Sequence, residues 1–138
     1  MKETIFLIGN PAAGRNALRK INEAAAIIKN RGHNVEMLLT GKRGDAELFA
    51  RQISSESGVQ RLEFKNNSSL LVIAAGGDGT YNEVINGIAC TNIPMAILPL
   101  GTTNILAKEL NIPDDIEDAL NIALRGKTQK VCLGRITL

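Results

Sequence analysis

The chain has 138 residues, enough for one domain with a substantial core. Its hydrophobic share of 44% and charged share of 22% are ordinary for a globular protein, and a net charge of +2 gives no general attraction to nucleic acid. Aromatic residues make up only 3%, with no Trp, so stacking platforms for single-stranded nucleic acid are not expected, and no apolar run approaches a membrane span. Met1-Lys2-Glu3-Thr4 leads into a short strand and does not read as a signal peptide. Cys90 and Cys132 form neither a CxxC pair nor a zinc pattern, which suits a reducing, cytoplasmic setting.

Thr4 to Ile8 reads as a buried strand, followed by the turn Gly9-Asn10-Pro11-Ala12-Ala13-Gly14. Leu18, Ile21, Ala25 and Ile28 recur at helical spacing, and Gly32 closes that helix. Val35 to Leu39 is a second strand, ending at Thr40. Asp45 is placed to cap a helix whose inner face carries Ala46, Phe49, Ala50 and Ile53. Ser54 to Ser69 reads as polar and irregular. Leu70 to Ala75 is the most apolar strand and runs into Gly76-Gly77-Asp78-Gly79-Thr80, followed by a helix presenting Val84, Ile85 and Ile88. Pro94 to Leu98 is a fourth strand, opening into Pro99-Leu100-Gly101-Thr102-Thr103-Asn104, and a short helix runs to Leu110 before Pro113. Asp114 or Asp115 caps a last helix through Leu124, which Gly126 ends, and Val131 to Leu133 starts another strand. The chain stops at Leu138 in strand-like material, and the expectation is a domain whose partner lies further on.

Strands alternating with helices imply an α/β fold, a mostly parallel sheet with helices on both faces. Right-handed crossovers then bring the loops after the strands to one edge, where open α/β sheets bind their ligands. Three loops of unusual chemistry fall there.

The first loop has Gly9 and Gly14 at the spacing of a phosphate-binding P-loop, but Arg15 and Asn16 stand where Lys and Ser/Thr belong. It reads either as a plain strand-to-helix turn or as a phosphate contact through backbone N–H groups. In the second loop, glycines let a ligand approach the main chain, and Thr80 with the N–H groups behind it can donate to phosphate oxygens. Asp78 would repel such a ligand unless a cation lay between them, so magnesium bridging Asp78 to nucleotide phosphates is expected. In the third loop Gly101 opens the backbone and Thr102, Thr103 and Asn104 supply donors, Asn104 being also a plausible helix cap. The lone histidine, His33, sits in a turn and gives no second imidazole for a metal site. Asp114, Asp115, Glu117 and Asp118 read as a helix cap and its solvated face, and Arg15, Arg19, Lys20 and Lys29 as a charged helix face.

Asn10-Pro11 after the first strand, Gly76 to Thr80 with Asn82-Glu83, and Pro99 to Asn104 together resemble the diacylglycerol kinase catalytic domain, the family of bacterial lipid kinases and relatives of sphingosine and ceramide kinases. The likeness runs from Ile5 through Pro113 and continues into Val131 to Gly134. NAD kinases share the Gly-Gly-Asp-Gly-Thr stretch, and the Pro-Leu-Gly-Thr-Thr-Asn block is what points to the lipid kinases.

The resemblance implies ATP- and Mg2+-dependent phosphorylation of a lipid hydroxyl at a membrane surface. It places Asn10, Pro11 and Thr40 at the nucleotide, Gly76, Gly77, Asp78, Gly79, Thr80, Asn82 and Glu83 in the phosphate-binding loop, and Gly101, Thr102 and Asn104 alongside. Ile105 departs from the family, many of whose members carry Asp there. Family enzymes are about twice as long, and their second, β-rich domain carries the lipid site and the general base, so residues 1–138 are expected to be the nucleotide-binding part, inactive alone. A NAD kinase-like enzyme and a nonenzymatic nucleotide-sensing module are the alternatives. Diacylglycerol, a sphingoid base, phosphatidylglycerol and undecaprenol all suit the acceptor, and self-association through an exposed apolar patch is a further expectation.

Overall fold

The computed structural model describes residues 3–60, 69–101, 103–125 and 128. Four strands, β1 (Glu3–Gly9), β2 (Asn34–Leu39), β3 (Ser69–Gly76) and β4 (Met95–Pro99), alternate with α1 (Ala17–Asn30), α2 (Asp45–Gln60), α3 (Asp78–Ile88), α4 (Ile105–Glu109) and α5 (Ile116–Arg125). The sheet order is β2-β1-β3-β4 and every pairing is parallel, with Leu7 opposite Met37 on one side and Ile73 on the other.

Alternation along the strands divides the core into two layers. Ile5 and Leu7 of β1 and Leu71, Ile73 and Ala75 of β3 face α1 and α5, meeting Ile21, Ile28 and Leu120. Ile8, Val72, Ala74 and Ile97 face the opposite way, against Ala50, Ile53, Tyr81 and Val84 of α2 and α3. Helices therefore cover both faces, as the βα alternation in the sequence implies, and both central strands are apolar on both sides.

The buried stripe of α1 is Ala17, Ile21, Ala24 and Ile28, so Leu18, read from the sequence as part of it, lies outside and is 44% exposed. Small residues at 17 and 24 let the helix approach the sheet, and Leu18 is one position off that face. Gly32 ends α1 as expected. It sits at φ +88°, with its N–H on the Lys29 carbonyl and the His33 N–H on that of Ile28, a left-handed turn that an L side chain disfavours.

Two other readings change. Helix α2 runs to Gln60, through Ser54 to Ser57, which the sequence suggested were irregular. Serine is a weak helix former rather than a breaker, no proline intervenes, and Ile53 is buried a turn earlier. Asp45 is the first residue of that helix rather than its cap, and its carboxylate reaches backwards to accept from Gly41 N at 2.8 Å and Lys42 N at 3.0 Å. At α5 the expectation holds for Asp115, whose Oδ2 accepts from Asp118 N at 3.1 Å. The readings at Gly126, at Val131 to Leu133 and at the chain end lie outside the described residues. Among those described, no helix is long and apolar enough to cross a membrane.

Candidate functional site

Strand β1 is flanked by β2 on one side and β3 on the other, while α1 leaves β1 over one face and α3 leaves β3 over the other. The loops after β1 and β3 therefore diverge and leave a crevice beyond the C-terminal strand ends, the usual ligand position in such sheets. A cleft of about 640 Å3 opens there, of a size usual for small-molecule sites. Asn10, Pro11 and Ala12 line it from the loop after β1, Thr40 to Arg43 from the loop after β2 with Ala46 behind, and Gly79, Thr80 and Glu83 from the start of α3.

Strand-end hydrogen bonds set these positions. Asn10 N donates to Ala75 O at 3.0 Å and Thr40 N to Gly9 O at 2.9 Å, so the first residue beyond each strand is still tied to its neighbour. Asn10 Oδ1 accepts from Ala12 N at 2.9 Å, which leaves its Nδ2 amide, a donor, for a ligand. Glu83 Oε1 accepts from Gly44 N at 2.7 Å, tying α3 to the loop before α2 across 39 residues of sequence.

The rest of the second and third loops forms a joint behind the cleft. Asp78 Oδ2 accepts from Ile105 N at 2.9 Å and Oδ1 from Leu106 N at 3.0 Å, so its carboxylate caps α4. Asn104, read from the sequence as a possible cap for that helix, does not serve. Its backbone is left-handed at φ 47°, and its buried side chain turns inward, Nδ2 donating to Gly101 O at 2.6 Å. A carboxylate accepts two N–H groups better than a carboxamide, and Asp78 is carried there by α3.

Tyr81 is wholly buried under this joint and donates from its hydroxyl to Gly76 O at 2.7 Å, with Asn104 Oδ1 at 3.3 Å. Burial first, then the negative charges of Asp78 and Asp114, push its phenol far above the usual tyrosine range, so it stays a neutral donor. The backbones are in close approach: a Cβ on Gly101 would lie 3.1 Å from Gly77 Cα, and one on Gly14 would lie 2.5 Å from Leu100 O. The three loops are thus packed on one another.

Of the residues singled out in the sequence, Asn10, Pro11, Thr40, Gly79, Thr80 and Glu83 come together in the cleft. Gly76, Gly77, Asp78, Gly101 and Asn104 are in the joint instead. Asn82 is exposed on α3 and does not line the cleft, and Thr102 lies outside the described residues. The sequence reading passed over Lys42 and Arg43, both exposed at the cleft, and Tyr81. Two cations between the end of a strand and the start of a helix, at the edge already suspected, were the available signal for the first pair. Tyr81 carried none, because an aromatic residue on a helix reads as ordinary core.

For a magnesium ion the donor set is sparse. No three His, Cys, Asp or Glu side chains converge among the described residues. Asp78 holds two amides, Glu83 holds a third, and Ile105 offers no carboxylate. These residues fit a magnesium ion that arrives on a ligand's phosphates, with a carboxylate touching its outer waters, rather than one caged by protein.

Fold and site define a doubly wound α/β domain with a cleft at the C-terminal ends of its strands. Residues 4–136 match the model of the diacylglycerol kinase catalytic domain, and the chain belongs to that family. Diacylglycerol kinases of Staphylococcus aureus strains JH9 and Newman are 36% identical to it over 139 residues, covering 99% of this chain and 41% of theirs. The chain thus spans about two fifths of the length of the curated relatives it matches. The crystal structure of a diacylglycerol kinase from Bacillus anthracis strain Sterne superposes with a TM-score of 0.63 at 28% identity, covering 88% of this chain and 38% of that one. Another solved chain from that organism gives 0.65 at the same identity and coverage.

Proposed function

We propose that residues 1–138 are the nucleotide-binding part of an ATP-dependent lipid kinase, which transfers the γ-phosphate to a lipid hydroxyl at a membrane surface. The observation that carries this reading is the convergence of Asn10, Thr40, Gly79 and Thr80, from two loops and the start of α3, on one cleft at the switch point of the sheet. Membership of the diacylglycerol kinase family supports the phosphoryl transfer and the lipid acceptor.

In this reading the start of α3 faces the phosphates, where its N–H groups and dipole favour negative charge and Thr80 supplies a hydroxyl. Asn10 and Thr40 hold the nucleotide from the opposite wall, and Thr102 adds a contact. Gly76, Gly77, Gly101 and Asn104 act from behind by fixing where that wall stands. Asn82 and Glu83, expected in the phosphate-binding loop, lie on α3, where Glu83 keeps Gly44 in place. Asp78 would hold a nucleotide-borne Mg2+ through water, using lone pairs its two amide bonds leave, and the ion when bound would supply charge neutralisation for phosphoryl transfer. The lipid site and the general base belong to the β-rich remainder of the protein, so residues 1–138 alone bind nucleotide and catalyse nothing. Self-association would use apolar side chains left at the surface, such as Leu110 and Ile122.

Calorimetric titration of the chain with ATP, with and without Mg2+, tests the reading. Wild type should bind, and Thr80→Val should lose about tenfold in affinity through the missing hydroxyl. Absence of ATP binding by wild type up to millimolar concentration would refute it. For the acceptor, the chain joined to its β-rich remainder is assayed against diacylglycerol, a sphingoid base and NAD, and phosphorylation of NAD in place of lipid would move it to the NAD kinases.

A further inference from the structure

We propose that the cleft recognises the triphosphate of its ligand and is indifferent to the base, with the loop between β2 and α2 acting as a cationic phosphate arm. The inference rests on the nucleotide reading above and adds what that reading leaves open, the selectivity of the site.

A purine or pyrimidine is ordinarily held by stacking or by an apolar slot, with one or two edge hydrogen bonds for identity. This cleft offers little of that among the described residues. Its apolar side chains are Pro11, Ala12 and Ala46, and none is aromatic. Tyr81 is buried with its hydroxyl occupied, and Phe6 and Phe49 pack into the core beneath. Small apolar side chains cover too little area to discriminate one base from another.

For a polyanion the same cleft is well supplied. Lys42 and Arg43 are exposed at its wall, and the one ion pair among the described residues, Arg51 with Glu47, involves neither. Glu83 is the one described carboxylate lining the cleft, and it is engaged with Gly44 N. The starts of α2 and α3 contribute Ala46, Gly79 and Thr80, with backbone N–H groups at helix ends. The positive dipole of those ends is offset in the same turns by Asp45, Glu47 and Asp78, so Lys42 and Arg43 carry the positive charge.

The arm is also held in place, which separates it from a chance pair of surface cations. Thr40 N is tied to Gly9 O, Gly41 N and Lys42 N to the Asp45 carboxylate, and Gly44 N to Glu83. Four main-chain bonds within five residues fix the backbone beneath Lys42 and Arg43, so binding has only their side chains left to order. Charge and donors presented in this way read phosphate whatever base is attached to it.

Calorimetry on the 138-residue chain with ATP, GTP, UTP, adenosine and inorganic tripolyphosphate tests this. The three nucleotides are expected to bind within about threefold of one another, with tripolyphosphate retained and adenosine undetected. K42Q/R43Q is expected to weaken every phosphate ligand by about tenfold or more. The control K29Q/R125Q makes the same charge change at the C-terminal ends of α1 and α5, at the opposite edge of the sheet, and should change nothing. A preference for ATP over GTP and UTP of about tenfold overturns the indifference, and equal binding by K42Q/R43Q and wild type overturns the arm. In both cases the nucleotide reading stands. Tripolyphosphate binding while ATP, GTP and UTP all fail to bind would sink the nucleotide reading and leave the arm. No binding of any phosphate ligand removes both.

Discussion

Asp78 is the residue at which sequence and structure say different things about the same carboxylate. Its position among phosphate-binding amides suggested a metal bridge, and the fold gives both its oxygens backbone N–H groups of α4. Replacing it by Ala leaves two helix-end donors without a partner, so Asp78→Ala should lower stability by about 1–3 kcal/mol in chemical denaturation. If the carboxylate also reaches a nucleotide-borne magnesium, Asp78→Asn will reduce the gain in ATP affinity that Mg2+ brings. An unchanged gain would assign Asp78 to the joint alone. Tyr81 makes a comparable case with a pH signature. Its folded-state phenol titrates above the unfolded value of about 10, so above that pH the unfolded chain binds fewer protons and stability falls as pH rises. Urea titrations between pH 9 and 11 should show that fall, and Tyr81→Phe should remove one proton's share of it while costing about 0.5–1.5 kcal/mol at neutral pH, since Gly76 O keeps its bonds from Leu100 N and Gly101 N.

At the scale of elements, the pairing that matters to the site is α3 with the loop before α2. Glu83 joins them through a single bond to Gly44 N. In Glu83→Ala the Gly44 amide should exchange with solvent faster, by about an order of magnitude, with the α1 amides unaffected. Gln at 83 keeps an acceptor and should restore most of the protection. Most of the strands and helices were legible in the sequence, because apolar runs at β1, β3 and β4 and the stripe around Ile21 and Ile28 report burial directly. The misreadings have local causes. Leu18 fits the helical period and still points off the face, since one residue of rotation moves a side chain about 100°. The serines of α2 lower helix propensity only slightly, and tertiary packing at Ala50 and Ile53 outweighs them.

For the molecule as a whole, the alternation of elements and the glycine-rich stretches at 76–80 and 99–104 were enough to place the fold in the doubly wound α/β class and the chain among the diacylglycerol kinases. Those properties are local: hydrophobic period, turn chemistry and spacing along the chain are written residue by residue. Which of the marked residues face a ligand and which hold one another was decided only by the tertiary structure. Asn10, Thr40 and Thr80 meet at one cleft because β1 lies between β2 and β3, and Lys42 joins them because Glu83, 41 positions later, holds its loop. Asp78 is drawn to α4, 27 residues on, because a helix end must find acceptors for its N–H groups and the nearest in space is not the nearest in sequence. Long-range hydrogen bonds and strand order are properties of the closed sheet, and no reading of neighbours along the chain contains them.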